Sequence, residues 1–216
     1  MVTAVMTDVH YRMSLALIRD LAQAGVRTVC CEREGVAAPL GFVSKYTDET
    51  VLLPREGWTD ALYDLCARLE SREGERPALL PVGAATLAAL SAERARFEAV
   101  CGLCIPTPEQ LDAFNSKETA ARLGEKLGVP VPARYAPEEG ESLPGFFARV
   151  SLPCVVKPLC GEKFGLSAAQ RYVIAATPEQ GAAAFERFSA LTGEAPMVQE
   201  YLSGVGLGCS VLAEEG

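Results

Sequence analysis

Two lysines and one strand exit carry the residue types from which a polyphosphate site is built. Lys117 stands in the first turn of a helix beginning NSKETAARL. The helix macrodipole disfavours a cation there, yet helix N-termini favour anions, so a lysine in that place has a purpose if it meets a phosphate. Taken alone it also reads as a solvated surface lysine. Lys157 ends the apolar run CVVK ahead of Pro158 and adjoins the loop LCGEKFGL, in which Gly161 and Gly165 bracket Lys163 and Phe164. Paired glycines let backbone amides approach an anion closely and let a loop move as a flap. An ordinary hairpin with a charged tip has the same composition. The third stretch, VQEYLSG at residues 198–204, ends an apolar strand in Gln199, Glu200, Tyr201 and Leu202. Such an exit offers backbone groups and an acceptor to a purine edge, with Leu202 against its face; the plain alternative is an edge strand with a polar end. The glycines of GVGLG, residues 204–208, lack the GxGxxG spacing of a dinucleotide fingerprint, and no GxxxxGK[ST] phosphate loop occurs.

The elements that must position these groups fall into two grammars. Up to residue 105, short apolar strands (3–6, 26–31, 50–53, 78–82, 103–105) alternate with helical periodicity at 14–24, 58–70 and 85–97. Strands separated by helices imply parallel pairing and a doubly wound α/β domain over residues 1–106. From Thr107-Pro108-Glu109, a helix start, the pattern changes. Asn115 is expected to cap a second helix, which Gly128 and Pro130 end. A polar loop covers 137–144, followed by CVVKP, the strand RYVIA, a helix capped by Thr177-Pro178-Glu179 and the strand MVQEYL. Residues 107–216 thus read as a small α+β lobe.

Composition narrows the function classes. The 216 residues are 49% hydrophobic, enough for real cores, and carry a net charge of −8 without a basic run, which argues against nucleic acid as a partner. No apolar stretch approaches the roughly 20 residues of a membrane helix, and MVTAVMTDVHYRM has neither a basic leader nor a small-residue cleavage site. A soluble, cytoplasmic protein is expected. The eight cysteines read as reduced, mostly buried thiols. Cys101 and Cys104 form one CxxC, open to a redox pair or half a zinc site, but more simply two small hydrophobes at a strand.

In order and spacing, NSK with Lys117, VVKP with Lys157, CGEKFG with Gly161, Lys163, Phe164 and Gly165, and QEYLSG with Gln199, Glu200, Tyr201 and Leu202 resemble the ATP-grasp superfamily. The helix ending LGVPVPARY, residues 127–135, also matches the usual GVPVP exit. The resemblance covers nearly the whole chain and is strongest to carboxylate-amine ligases related to carbamoyl-phosphate synthase and D-aspartate ligase, whose strand exit often reads QEYxxGxGxG. It implies a Rossmann-like pre-ATP-grasp domain followed by the α+β small lobe of a truncated ATP-grasp domain. It further implies ATP with Mg²⁺, and small-molecule carboxylate and amine substrates joined through an acyl phosphate. Lys117 and Lys157 would hold the α- and β-phosphates, the flap would close over the transferred group, and residues 7–10 and 83–84 would contribute to the acceptor site at the strand ends. Gly206 stands where many members place a ribose-binding acid. The magnesium ligands and catalytic arginine are expected downstream of Gly216, so no catalytic or metal-binding residue is assigned and turnover by these residues alone is not expected. The resemblance also admits a homodimer. Two other readings stay open: a non-catalytic nucleotide-binding or dimerisation module, and an NAD-dependent oxidoreductase, which the stretch MTDVHYRMS, devoid of the glycine fingerprint, disfavours.

Overall fold

The computed structural model describes residues 2–159, 166, 167 and 170–209, apart from the side chains of Asp112, Phe114 and Asn115. The chain divides into two compact units, Met1–Leu111 and Asp112–Gly216.

In the first unit, β1 (Thr3–Met6), β2 (Arg27–Arg33), β3 (Glu49–Leu53), β4 (Ala78–Leu80) and β5 (Gly102–Leu103) form a sheet of order β3-β2-β1-β4-β5, with every pairing parallel. Both faces of the central strands are buried, so their sequences are nearly continuous apolar runs. Successive residues point to opposite faces. Val5, Val29 and Cys31 join the core formed with Leu62, Leu65 and Leu69 of α2 (Trp58–Glu73), Leu90 of α3 (Ala84–Ala92) and Phe97 of α4 (Arg94–Glu98). Met6 and Cys30 face the other way, onto Ile18 of α1 (Arg12–Gln23). Gly74, at φ 74°, ends α2 in the left-handed conformation that glycine adopts without strain, its N–H donating to the Glu70 carbonyl at 2.8 Å. The periodicity at 85–97 predicts one helix; two are present, broken at Glu93. The break turns Arg94 onto the carbonyl of Pro106 (2.7 Å) while Phe97 remains fully buried.

The described cysteines are free thiols: Cys30, Cys31, Cys66, Cys101 and Cys154 are buried, Cys104 and Cys209 exposed. Burial pushes the Cys31 thiol well above its ordinary pKa. Cys101 donates to the Phe97 carbonyl while Cys104 faces solvent, so the CxxC pair does not converge.

The second unit begins within α5 (Pro108–Asn115) and continues with α6 (Lys117–Lys126). Ser116, not Asn115, caps α6: its Oγ accepts from Thr119 N at 3.3 Å, and Asn115 is the last residue of α5. The strands β6 (Arg134–Tyr135), β7 (Cys154–Lys157), β8 (Val173–Ala175) and β9 (Met197–Glu200) form an antiparallel sheet of order β6-β9-β7-β8. α8 (Pro178–Thr192) is capped by Thr177, whose Oγ1 accepts from Gln180 N. β6 and α7 (Leu143–Arg149) are not anticipated by the sequence reading. Ser142 and Pro144 start α7 as an N-cap and an early-turn proline, and it exists to deliver Phe146 and Phe147, both fully buried against Phe185, Phe188 and the sheet. Burying each ring contributes roughly 1.5–3 kcal/mol.

Candidate functional site

Residue parity decides which way Lys157 faces, because residues directly opposite in an antiparallel pair share a face. Cys154 pairs with Ala175 and Glu200, and Val156 with Val173 and Val198. Cys154, Val156, Ala175 and Val198 belong to the core packed on α7 and α8, with Tyr135 and Val173 against it. Lys157 therefore lies on the face turned away from those helices, together with Val155, Ile174, Met197 and Gln199.

Lys157 is half-buried on that face. Burial first, and the nearby Lys117 ammonium second, lower its pKa below the ordinary lysine value. Lys117 opens α6 directly after the Ser116 cap, and its Nζ donates to the Leu159 carbonyl at 3.1 Å, two residues past Lys157. Two lysines distant in sequence thus reach the same end of β7. Neither meets a carboxylate among the described residues. Like charges gathered without a counter-charge disfavour ionisation, and a bound polyanion reverses that cost.

The exit of β9 lies in the same sheet. Glu200 N donates to the Ala133 carbonyl at 2.9 Å and Tyr201 N to Pro153 at 3.3 Å, so the strand end is tied to the chain on both sides. Sequence reasoning treats Gln199 and Glu200 as one polar exit. The register separates them: Gln199 shares the face of Lys157, while Glu200, opposite Cys154, sits on the side of the helices. Tyr201 and Leu202 follow the strand and are exposed, Leu202 at 64%. The expected flap residues Gly161, Lys163, Phe164 and Gly165 lie outside the described residues. Among the described residues, no group of three or more His, Cys, Asp or Glu is placed to hold a metal ion, and no helix is long and apolar enough to cross a membrane.

A second polar cluster occupies the carboxyl edge of the parallel sheet, where the crossovers leave β1 in opposite directions. Asp8 follows β1 at φ 55°, a left-handed conformation that aspartate tolerates better than most residues. Its carboxylate accepts from Thr7 Oγ1 (2.7 Å), Gly83 N (3.0 Å) and Thr86 Oγ1 (2.8 Å). A side chain at Gly83 would collide with that carboxyl, which is why glycine stands there. Glu32, 1% exposed at the end of β2, accepts from the N–H (3.0 Å) and ring Nδ1 (2.7 Å) of His10 and from Arg33 N (3.0 Å). Residues 7–10 and 83–84 are thus brought together, as their place at strand ends predicts. Glu32, Arg33, Trp58 and Thr86 escape sequence reasoning. The signal present for two of them is the charged pair Glu32-Arg33 closing an otherwise apolar parallel strand.

Neither a protein-family model nor a curated protein matches the chain. Among solved structures, biotin carboxylase from Campylobacter jejuni in a β-γ-ATP complex is similar at a TM-score of 0.62 and 15% identity, over 93% of this chain and 45% of that one. The biotin carboxylase domain dimer of Hydrogenobacter thermophilus 2-oxoglutarate carboxylase, with MgADP, ADP and bicarbonate, is similar at 0.57 and 16%, over 91% and 43%. Phosphoribosylglycinamide synthetase from Anaerococcus prevotii is similar at 0.50 and 16%, over 94% and 46%. The chain spans less than half the length of each of these proteins. The likeness is one of fold: a parallel α/β sheet followed by a small antiparallel sheet under two helices is what the chain shares with the matched parts of these longer proteins.

Proposed function

We propose that the chain is the nucleotide-holding part of an ATP-dependent carboxylate-amine ligase of the ATP-grasp type. The observation that carries this reading is the pairing of Lys117 and Lys157 at one end of β7 without a carboxylate partner among the described residues. That donor set fits a polyphosphate. ATP supplies the phosphoryl group that activates a carboxylate as an acyl phosphate for attack by an amine. Lys117 and Lys157 neutralise the α- and β-phosphates. On the sequence resemblance alone, Gly161, Lys163, Phe164 and Gly165, which lie outside the described residues, are assigned to the same nucleotide site. Gln199, Glu200, Tyr201 and Leu202 border the adenine, with Gln199 on the lysines' face of the sheet. Mg²⁺ would supply further charge neutralisation at the bound nucleotide.

Within this reading, residues 1–106 are the pre-ATP-grasp domain and 107–216 the small lobe with the start of the next. QEYLSGVGLG favours the subgroup of carbamoyl-phosphate synthase and D-aspartate ligase. A cytoplasmic setting fits the free thiols in the cores, and a homodimer fits the dimeric biotin carboxylase domain among the similar structures. The alternative, a non-catalytic nucleotide-binding or dimerisation module, shares the site and differs only in turnover.

Isothermal titration of the chain with MgATP and, separately, with NADH tests the proposal. One-to-one binding of MgATP and none of NADH is expected. NADH binding without ATP binding would move the chain to the oxidoreductases.

A further inference from the structure

The CxxC spacing offers Cys101 a partner in Cys104, yet the fold supplies a different one. Cys101, directly ahead of β5, and Cys66, on the inner side of α2, are buried in the same core, with Cys31 of β2 beside them. The Cys66 S–H donates to Cys101 Sγ, and Cys101 in turn donates to the Phe97 carbonyl at 3.2 Å. This chain of bonds makes the two sulfurs unequal. Donation from Cys66 lowers the pKa of Cys101; burial opposes that, and the Arg76 charge supports it. Cys66 is pushed up, first by keeping its proton for Cys101 and then by burial, and burial raises Cys31 as well. A thiol that gives up its proton beside one that retains it has the asymmetry of an attacking and a resolving cysteine.

Burial decides which oxidant can use the pair. Cys66 is 0% and Cys101 2% exposed, which keeps out a tripeptide disulfide, whereas hydrogen peroxide is little larger than water. The way in is short: β5 is two residues at the edge of the sheet, and Gly102, next to Cys101, is exposed. Small edge elements open locally at low cost. We propose that Cys66 and Cys101 are a peroxide-responsive dithiol that closes to a disulfide between α2 and the start of β5. The Cys101 thiolate attacks one oxygen of hydrogen peroxide and breaks the O–O bond, leaving a sulfenic acid and a hydroxide that takes up the proton Cys101 released. The Cys66 sulfur then displaces the hydroxyl from that sulfenic acid, and the S–S bond forms as the hydroxyl leaves with the Cys66 proton as water. Two thiols and one peroxide thus become one disulfide and two waters, and a dithiol reductant reverses the change. Both cysteines belong to the first unit, so the inference is independent of the nucleotide reading.

The test uses the full chain with Cys104, Cys160 and Cys209 replaced by serine, which leaves the buried thiols Cys30, Cys31, Cys66, Cys101 and Cys154. The folded protein is exposed to hydrogen peroxide or to oxidised glutathione, unfolded in excess iodoacetamide and mapped by tryptic mass spectrometry without reduction. Peroxide is expected to join the peptide of residues 56–68 to that of 97–117, with the loss of two hydrogen atoms, while oxidised glutathione leaves both cysteines open to alkylation. Cys66→Ser keeps a donor towards Cys101 but cannot resolve a sulfenic acid, so dimedone is expected to label Cys101 in that variant. Absence of the 66–101 link after peroxide, a link from Cys66 to Cys31 in its place, equal bridging by oxidised glutathione, or a dimedone label on another cysteine overturns the proposal. The peptide map of the protein that retains Cys66 decides the matter even if Cys66→Ser does not fold.

Discussion

Replacing Lys157 by methionine separates what the residue does for binding from what it costs the fold. In the folded chain its ammonium is half removed from water and faces the charge of Lys117, whereas in the unfolded chain it is fully hydrated. Methionine keeps the apolar stem that packs on the open face of the sheet and removes the charge. Because half of the side chain stays in solvent, which screens the charge, the gain in stability is about 1 kcal/mol or less. Its sign is nonetheless fixed. The folded pKa lies below the ordinary lysine value of 10.5, so between the two the unfolded state binds more protons. Stability of the unsubstituted chain therefore rises as pH climbs from the folded value towards 10.5, and that rise is missing in Lys157→Met. Binding moves the opposite way. A charged hydrogen bond to phosphate contributes about 1.5–3 kcal/mol, which is a loss of roughly 10- to 150-fold in affinity for MgATP. Urea unfolding at several pH values reads the first effect and isothermal titration the second. A variant that is less stable at neutral pH yet binds nucleotide undiminished would show that Lys157 is a structural surface lysine, and the reading of the lysine pair would fall.

Two further outcomes concern the scaffold. A methyl group at Gly181 in α8 would run into the fully buried ring of Phe147, so Gly181→Ala is expected to destabilise the second unit by about 1–3 kcal/mol, seen as a lower urea midpoint for that unit alone. Arg149, bonded twice to Glu141 at 2.8 Å, holds that carboxyl at about 2 instead of 4.5. A carboxyl with a depressed folded pKa stabilises above its unfolded value and loses that contribution as pH falls through the folded one. Glu141→Gln should therefore be less stable than the unsubstituted chain at pH 7, with the difference closing between about pH 4.5 and 2.

The parallel sheet was legible because its central strands are buried on both faces and read as apolar runs such as VCC between helical periods, a pattern that leaves one architecture open. The second unit was harder. Its β6 is Arg134–Tyr135 alone, too short to carry a period, and α7 hides behind PEEGESLP, where prolines and glycine mask a Ser142 cap that reveals itself only through the two phenylalanines it delivers. The lysine pair was readable from residue type and spacing, since a cation at a helix start and another at a strand end need the same explanation. The sorting of Gln199 from Glu200 was not, because faces follow from the pairing partner and the chain gives no sign of which residue will stand opposite. Arg33 and Trp58 stayed hidden for a related reason: a stack between a strand end and a helix start is formed by tertiary approach.

The position of β9 between β6 and β7 dictates an order of assembly. Arg134 pairs with Gln199 and Cys154 with Glu200, so β6 and the β7–β8 pair are bridged only by a segment made long after them. During synthesis, the first unit can complete its sheet while the second still waits for its central strand, with the phenylalanine cluster of α7 and α8 lacking the Val198 side of its wall. Non-local pairing of that kind folds slowly and leaves apolar surface in view. Growth temperature and chaperone supply during expression should therefore decide soluble yield through this late strand rather than through the amino-terminal half.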